Sequence, residues 1–224
     1  MKKELLIGSL LLVGLAIPAS SQQDFQPPQV VSAGDAYLPY QVMIDGLFVL
    51  DVQLASDGTV RKIDALRDPG SMLGAATSSV RSWKFQAASS GNKSTPTRMT
   101  VSFLYRPADL SYAAAAPPKD FSPVLPPHRP EFSKHSDFVP AGVLSFAYPE
   151  YPVNSVMWGS VVVQLTVGES GDVKNVEFLH KMAGFDDLAT AALKKWRFQP
   201  ATLNGKSITS RTVIAFVFQA PYSN

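Results

Sequence analysis

The chain has 224 residues, 46% of them hydrophobic and 17% charged, with 18 prolines and 14 glycines; this is a globular composition that excludes wholesale disorder. A formal charge of +2, from 20 Lys+Arg against 18 Asp+Glu, is too even for a nucleic-acid footprint. The absence of cysteine excludes disulfides, thiolate metal sites, cysteine nucleophiles and a lipid-modified cysteine at the start of a mature chain.

Lys2 and Lys3 open the chain as a positive n-region, and Leu5 to Ile17 follows as an apolar run broken by Pro18. Ala19-Ser20-Ser21 then offers small residues at the positions that precede cleavage. Residues 1–21 therefore read as a signal peptide. The run is shorter than the roughly 20 apolar residues of a spanning helix, although an uncleaved anchor is the competing reading. Either way the remainder lies outside the cytoplasm.

The next feature is a repeat. Residues 39–105 match 152–218 at an offset of 113 without a gap, with 16 identities in 67 positions. Random pairing would give about four or five. The matches include both hairpin glycines, Gly58 and Gly171, and both tryptophans, Trp83 and Trp196. The chain reads as two copies of one domain, over 28–106 and 144–221, each expected to fold independently.

Within the first copy, Phe48, Leu50, Val52 and Leu54 alternate with Val49, Asp51 and Gln53, the period of a strand lying on a core. Asp57-Gly58 closes a hairpin, because glycine accepts positive φ without steric cost, and Val60 to Leu66 returns. Met72, Ala76, Val80 and Trp83 then share one helix face. Thr97 to Tyr105 is the last strand, with Met99, Val101, Phe103 and Tyr105 toward the helix.

Residues 107–143 form a proline-rich linker; eight of the 18 prolines fall between 107 and 140. Proline fixes φ and removes a donor, so an extended spacer is expected.

The second copy repeats the pattern. Val161, Val163, Leu165 and Val167 alternate along a strand, Ser170-Gly171 turns it, and Val173 to Leu179 returns. Phe185, Ala189, Leu193 and Trp196 make the helix stripe, which places both tryptophans in the core rather than on a ligand platform. In the last strand, Ser210 to Gln219, Thr212, Ile214, Phe216 and Phe218 face the helix, while Val213, Ala215 and Val217 make a second apolar face. A final strand reached after a helix, apolar on both faces, is expected at a sheet edge, where unpaired N–H and C=O groups invite another strand. The candidate partner-binding residues are therefore Arg211, Val213, Ala215, Val217 and Gln219.

Catalytic chemistry has few parts to work with. His128, His135 and His180 are scattered, and Glu150, Glu169, Asp186 and Asp187 accompany no Ser-His-Asp or metal-ligand spacing. Lys194-Lys195-Trp196-Arg197 reads as the last turn of a helix, where cations complement the dipole. No catalytic residue, metal site, cofactor, small-molecule substrate or nucleic-acid partner is expected.

Tyr148-Pro149, Gly159-Ser160-Val161-Val162-Val163, Ser170-Gly171-Asp172-Val173, Ala191-Ala192-Leu193, Trp196-Arg197-Phe198-Gln199-Pro200-Ala201 and Asn204-Gly205-Lys206 resemble the TonB C-terminal domain. The first copy resembles it less well, with Ala87 in place of Pro200 and Gly91-Asn92 in place of Asn204-Gly205. The resemblance implies an α+β fold: two tandem small domains, each an antiparallel three-stranded sheet covered by a helix. It also implies a non-enzymatic periplasmic protein that captures an extended segment of a TonB-dependent outer-membrane receptor as an added strand, linked to transmembrane transport. Full energy transducers of the family carry a histidine in their membrane helix, and residues 1–21 contain none. The alternatives are an envelope scaffold or homodimer associating through sheet edges, and a transducer anchored in the inner membrane and facing the periplasm.

Overall fold

A computed structural model describes residues 25–36, 45–67, 73–107, 138–150, 155 and 157–219. The signal-peptide reading, most of the proline-rich linker, and Pro39, Met72 and Pro152 lie outside the described residues.

The first half contains β1 (Phe25–Gln26), β2 (Gln29–Ser32), β3 (Gly46–Leu54), β4 (Val60–Arg67), α1 (Leu73–Ser82), β5 (Lys84–Gln86), β6 (Ala88–Ser90), β7 (Lys93–Thr95) and β8 (Thr97–Pro107). The second contains β9 (Phe138–Val139), β10 (Gly142–Ser145), β11 (Gly159–Val167), β12 (Val173–His180), α2 (Asp186–Leu193), β13 (Arg197–Gln199), β14 (Ala201–Leu203), β15 (Lys206–Ile208) and β16 (Ser210–Gln219). The hairpins β3–β4 and β11–β12 form as their alternation requires. Gly58 and Gly171 have φ of +86° and +82°, and a Cβ there would lie 2.2 and 2.0 Å from the carbonyl oxygens of Phe85 and Phe198. Both positions thus need glycine for conformation and for the close approach of the strand that follows the tryptophan. Asn204 and Gly205, at φ 53° and 77°, make the positive-φ turn between β14 and β15.

The helix stripes bury as their spacing requires. Phe185, Ala189, Leu193 and Trp196 are all within one core, and Ala76, Val80 and Trp83 lie within the other.

Each repeat supplies three antiparallel strands, with its last strand beside the first strand of its hairpin. The two triplets do not form separate sheets. They join in one six-stranded sheet of order β12-β11-β16-β8-β3-β4, in which β16 and β8 run parallel from Val213↔Val101 to Gln219↔Pro107. This corrects the expectation of two separate three-stranded sheets.

The register of that seam decides how the halves pack. Partners across it are 112 residues apart, one fewer than the repeat offset. In a parallel pair, residues opposite one another point to the same face. A one-residue slip therefore sets the helix-facing side chain of one repeat beside the back-facing side chain of the other. Phe103 lies beside Ala215, Tyr105 beside Val217, and Phe216 beside Leu104. The helices consequently cover opposite faces, and neither core belongs to one repeat. The α1 core takes Val162, Val213, Ala215 and Val217 from the second half, and the α2 core takes Leu47, Val49 and Leu104 from the first.

Short straps complete both layers. β2 pairs with β5 beside α1, and β10 pairs with β13 beside α2. Each strap also bonds to the sheet of the other repeat. The Val30 amide donates to Gln164 Oε1 at 2.8 Å and the Ala36 amide to Ser160 Oγ at 2.7 Å, while Thr100 Oγ1 donates to the Ala141 carbonyl at 2.6 Å. β9 and the first two residues of β10 fall within 107–143, so this stretch is not spacer throughout.

Candidate functional site

The structure places the five sequence-predicted residues, Arg211, Val213, Ala215, Val217 and Gln219, together on β16. That strand is not an edge. It pairs antiparallel with β11 along Ser210 to Phe218 and parallel with β8 along Val213 to Gln219, so its main chain is engaged on both sides. Val213, Ala215 and Val217 are fully buried. An apolar second face here means a strand flanked by two cores, which is the property of a central strand. The first repeat supplies the added strand that the edge reading assigned to a partner.

The free edges are the strands opposite, β4 and β12. Among the described residues each has one neighbour, β3 and β11 respectively. Their sequences carried a signal that the edge argument passed over. Arg61, Lys62 and Asp64, and Lys174, Asn175 and Glu177, interrupt both strands with charged and polar groups, as natural sheet edges do.

Beside each edge lies an equivalent groove between the hairpin and the end of the helix. The second-repeat groove, of about 810 Å³, is floored by Val173, Val176, Leu193, Trp196 and Phe198, with Lys194 and Arg197 among its lining. The first-repeat groove, of about 450 Å³, has Val60, Trp83 and Phe85, with Arg81 and Lys84 at the positions of Lys194 and Arg197. Arg197 also closes the helix end, donating to the Lys194 and Trp196 carbonyls at 3.2 and 2.8 Å. Asp172 is held below the ordinary carboxylate range by hydrogen bonds from Lys174 and Ser170. At the far end of β12, Met157 and Trp158 are 49% and 63% exposed.

Ser160, Asp35 and His180 also come together, but not as a nucleophilic triad. The Ser160 hydroxyl donates to Asp35 rather than to the imidazole, Ser160 is 1% exposed, and His180 Nε2 lies 3.8 Å from Asp35. The group ties the first strap to the second-repeat sheet. Among the described residues no cluster of three or more His, Cys, Asp or Glu could hold a metal ion.

Comparison with protein-family models decides what this repeated unit is. The model described as the C-terminal region of the Gram-negative bacterial TonB protein matches residues 41–107 and again 145–220, together more than half of the chain. The chain belongs to the TonB C-terminal family. No curated protein matches it. The two TonB C-terminal stretches cover β3 to β8 and the end of β10 through β16, so β1, β2 and β9 lie outside them. The family is one of non-enzymatic, envelope-associated protein-interaction domains. Among the described residues no helix is long and apolar enough to cross a membrane.

Proposed function

We propose that the protein is an exported, periplasmic TonB C-terminal-like binding protein that docks an extended segment of an envelope partner, a TonB-dependent outer-membrane receptor, by strand addition. It thereby serves transport across the outer membrane without catalysing a reaction. Family membership in two stretches supports a protein-interaction role, and the N-terminal Lys2-Lys3 and apolar run support export. The observation that carries the docking mode is a sheet whose two outer strands each have one hydrogen-bonded neighbour among the described residues. Because β16 is enclosed, we assign the added strand to β4 or β12 rather than to Arg211–Gln219.

A photo-crosslinking residue placed at exposed Lys62 on β4 or Asn175 on β12 tests this in cells. The expected result is an adduct with an outer-membrane protein from at least one of these positions. Adducts only with another copy of the chain would favour the self-associating scaffold. No adduct from either strand would contradict docking at the outer edges.

A further inference from the structure

We propose that the outer edge of β12, in preference to that of β4, takes an extended segment of alternating apolar and basic side chains, apolar toward α2 and basic beside Glu177. The proposal rests on the strand-addition reading above and names which edge is used and which face of the added strand carries charge.

Side chains of an added strand alternate between the two faces of the sheet, so each face of the β12 edge selects its own set. The α2 side is apolar. Val173, Val176 and Phe178 lie opposite Val167, Leu165 and Val163 of the α2 core, and all three are half-buried. Apolar side chains from a neighbouring strand would complete their burial. Val173 and Val176 also floor the groove of about 810 Å³, with Leu193, Trp196 and Phe198. The same row on β4 is Val60, Ile63 and Ala65, with alanine in place of phenylalanine, beside a groove of about 450 Å³. It has less apolar surface to cover. Lys194 and Arg197 line the larger groove, and Lys181 lies over the Phe178 ring at 5.3 Å, so a basic side chain is disfavoured on this face.

The opposite face is acidic at the edge. Glu177 lies opposite Gln164, accepts its side-chain amide at 3.1 Å and is exposed, with no ion pair among the described residues. Gln164 shares its face with Ser160, whose hydroxyl donates to Asp35, so a second exposed carboxylate lies on that side. Asp35 has His180 Nε2 at 3.8 Å. Lys174 is bridged to Asp172 at 2.7 Å, and Arg211 donates to the Pro27 carbonyl at 3.4 Å. Glu177 is left without a cation. The first repeat differs at this point. Asp64 is the counterpart of Glu177, and Lys62 of the same strand bridges it at 2.8 Å. The second repeat has Asn175 at the position of Lys62. A lysine or arginine on the added strand, opposite Glu177, supplies the missing charge. Lys62 on the β4 edge of a second copy is already committed to Asp64, which makes a separate partner the better source of that base.

The test uses the full chain labelled with ¹⁵N, and a capped ten-residue peptide of alternating valine and lysine as probe. Glutamate-for-lysine and proline-interrupted versions serve as controls. The expected result is backbone shifts along Val173–His180 and 193–198 with the lysine peptide, reduced by added salt. The proline version should give none, and the glutamate version should bind several-fold more weakly. Glu177→Gln, which keeps a hydrogen-bonding group opposite Gln164, should weaken the lysine peptide about threefold. Asn175→Lys, which copies the ion pair of β4, should weaken it to a similar extent. Unchanged binding by both variants, or equal binding of the glutamate peptide, would overturn the charge assignment. Shifts along Val60–Arg67 instead would overturn the choice of β12 while leaving strand addition standing. Shifts at β12 on concentrating the protein alone would assign the edge to a second copy and overturn the separate partner. Absence of shifts at both edges would overturn this proposal, and absence of crosslinks in the cell as well would remove strand addition itself.

Discussion

Trp196→Ala should lower the stability of the full chain by about 3–5 kcal/mol, measured as a shift of the urea midpoint at constant slope. Trp196 is 2% exposed and sits among Phe146, Phe198 and Phe216, with ring centroids 5.9, 6.0 and 5.8 Å away. Its removal leaves a cavity that three rings cannot all collapse into. The indole also donates to the Ala147 carbonyl at 3.0 Å, which ties the second strap to the core. Losing that bond strands a buried acceptor and adds to the cost. Trp83 is the equivalent residue, and it differs in one respect. Its ring stacks on Phe103 at 5.8 Å, but its N–H has no hydrogen-bond partner among the described residues. Trp83→Phe should therefore cost less than Trp196→Phe, by about 1 kcal/mol. Equal costs for the two would mean that the strap contact contributes nothing.

Arg98→Ala should be comparably severe, about 3–5 kcal/mol at neutral pH, because it leaves the Asp51 carboxylate buried without its cation. Arg98 and Asp51 are 4% and 1% exposed and paired through both carboxylate oxygens, Nε–H to Oδ1 at 2.8 Å and an Nη2 contact to Oδ2. Burial pushes the Asp51 carboxyl above its ordinary value, and the Arg98 hydrogen bond and charge oppose that push. The sign of the pH effect follows. An acid raised in the folded state contributes stability that is present below its unfolded pKa and lost as pH rises through the folded value. Removing Arg98 widens the gap, so the variant should recover part of its loss on acidification through the carboxylate range. A variant equally destabilised at acid and neutral pH would show that Asp51 is not the group responsible. Replacing both residues by apolar ones of similar volume should cost far less than Arg98→Ala.

The location of this pair shows why such a group persists. Asp51 and Arg98 share a sheet face with Thr100, whose hydroxyl bonds to the Ala141 carbonyl of the second strap and lies 3.0 Å from that of Thr212. At the equivalent positions of the second repeat, Gln164 accepts the Val30 amide and Arg211 donates to the Pro27 carbonyl at 3.4 Å. Polar groups thus mark where each strap crosses the other repeat's strands.

Local features were legible because they rest on local periodicity. Alternation identified β3, β8, β11 and β16, the glycines located the hairpins, and the 0, 4, 8, 11 spacing placed Trp196 in the core. The 113-residue offset revealed the duplication. The joining of the halves was not legible, since nothing in a strand's own pattern says which strand lies next to it. The two apolar faces of β16 were read as an edge inviting a partner, whereas they record burial between two cores. Thr100 and Ser102 on β8 are polar yet buried, Ser102 beside Ile214 across the seam. The straps were missed because β2 and β10 have four residues each, too few for a period to show. The candidate site moved for the same reason: filling the inner edges leaves β4 and β12 outside, with their charges as the visible trace.

The central claim is that the parallel β8–β16 seam makes the two repeats one folding unit with its binding edges at the outside. Urea unfolding of the full chain in two variants tests it, one retaining Trp83 and the other Trp196 as the sole tryptophan, with Trp158 replaced by phenylalanine in both. The account predicts a single transition in each variant, with fluorescence coinciding with far-ultraviolet circular dichroism in midpoint and slope. A tryptophan signal that completes its transition while half of the circular dichroism change remains would show independently folding repeats and contradict the account.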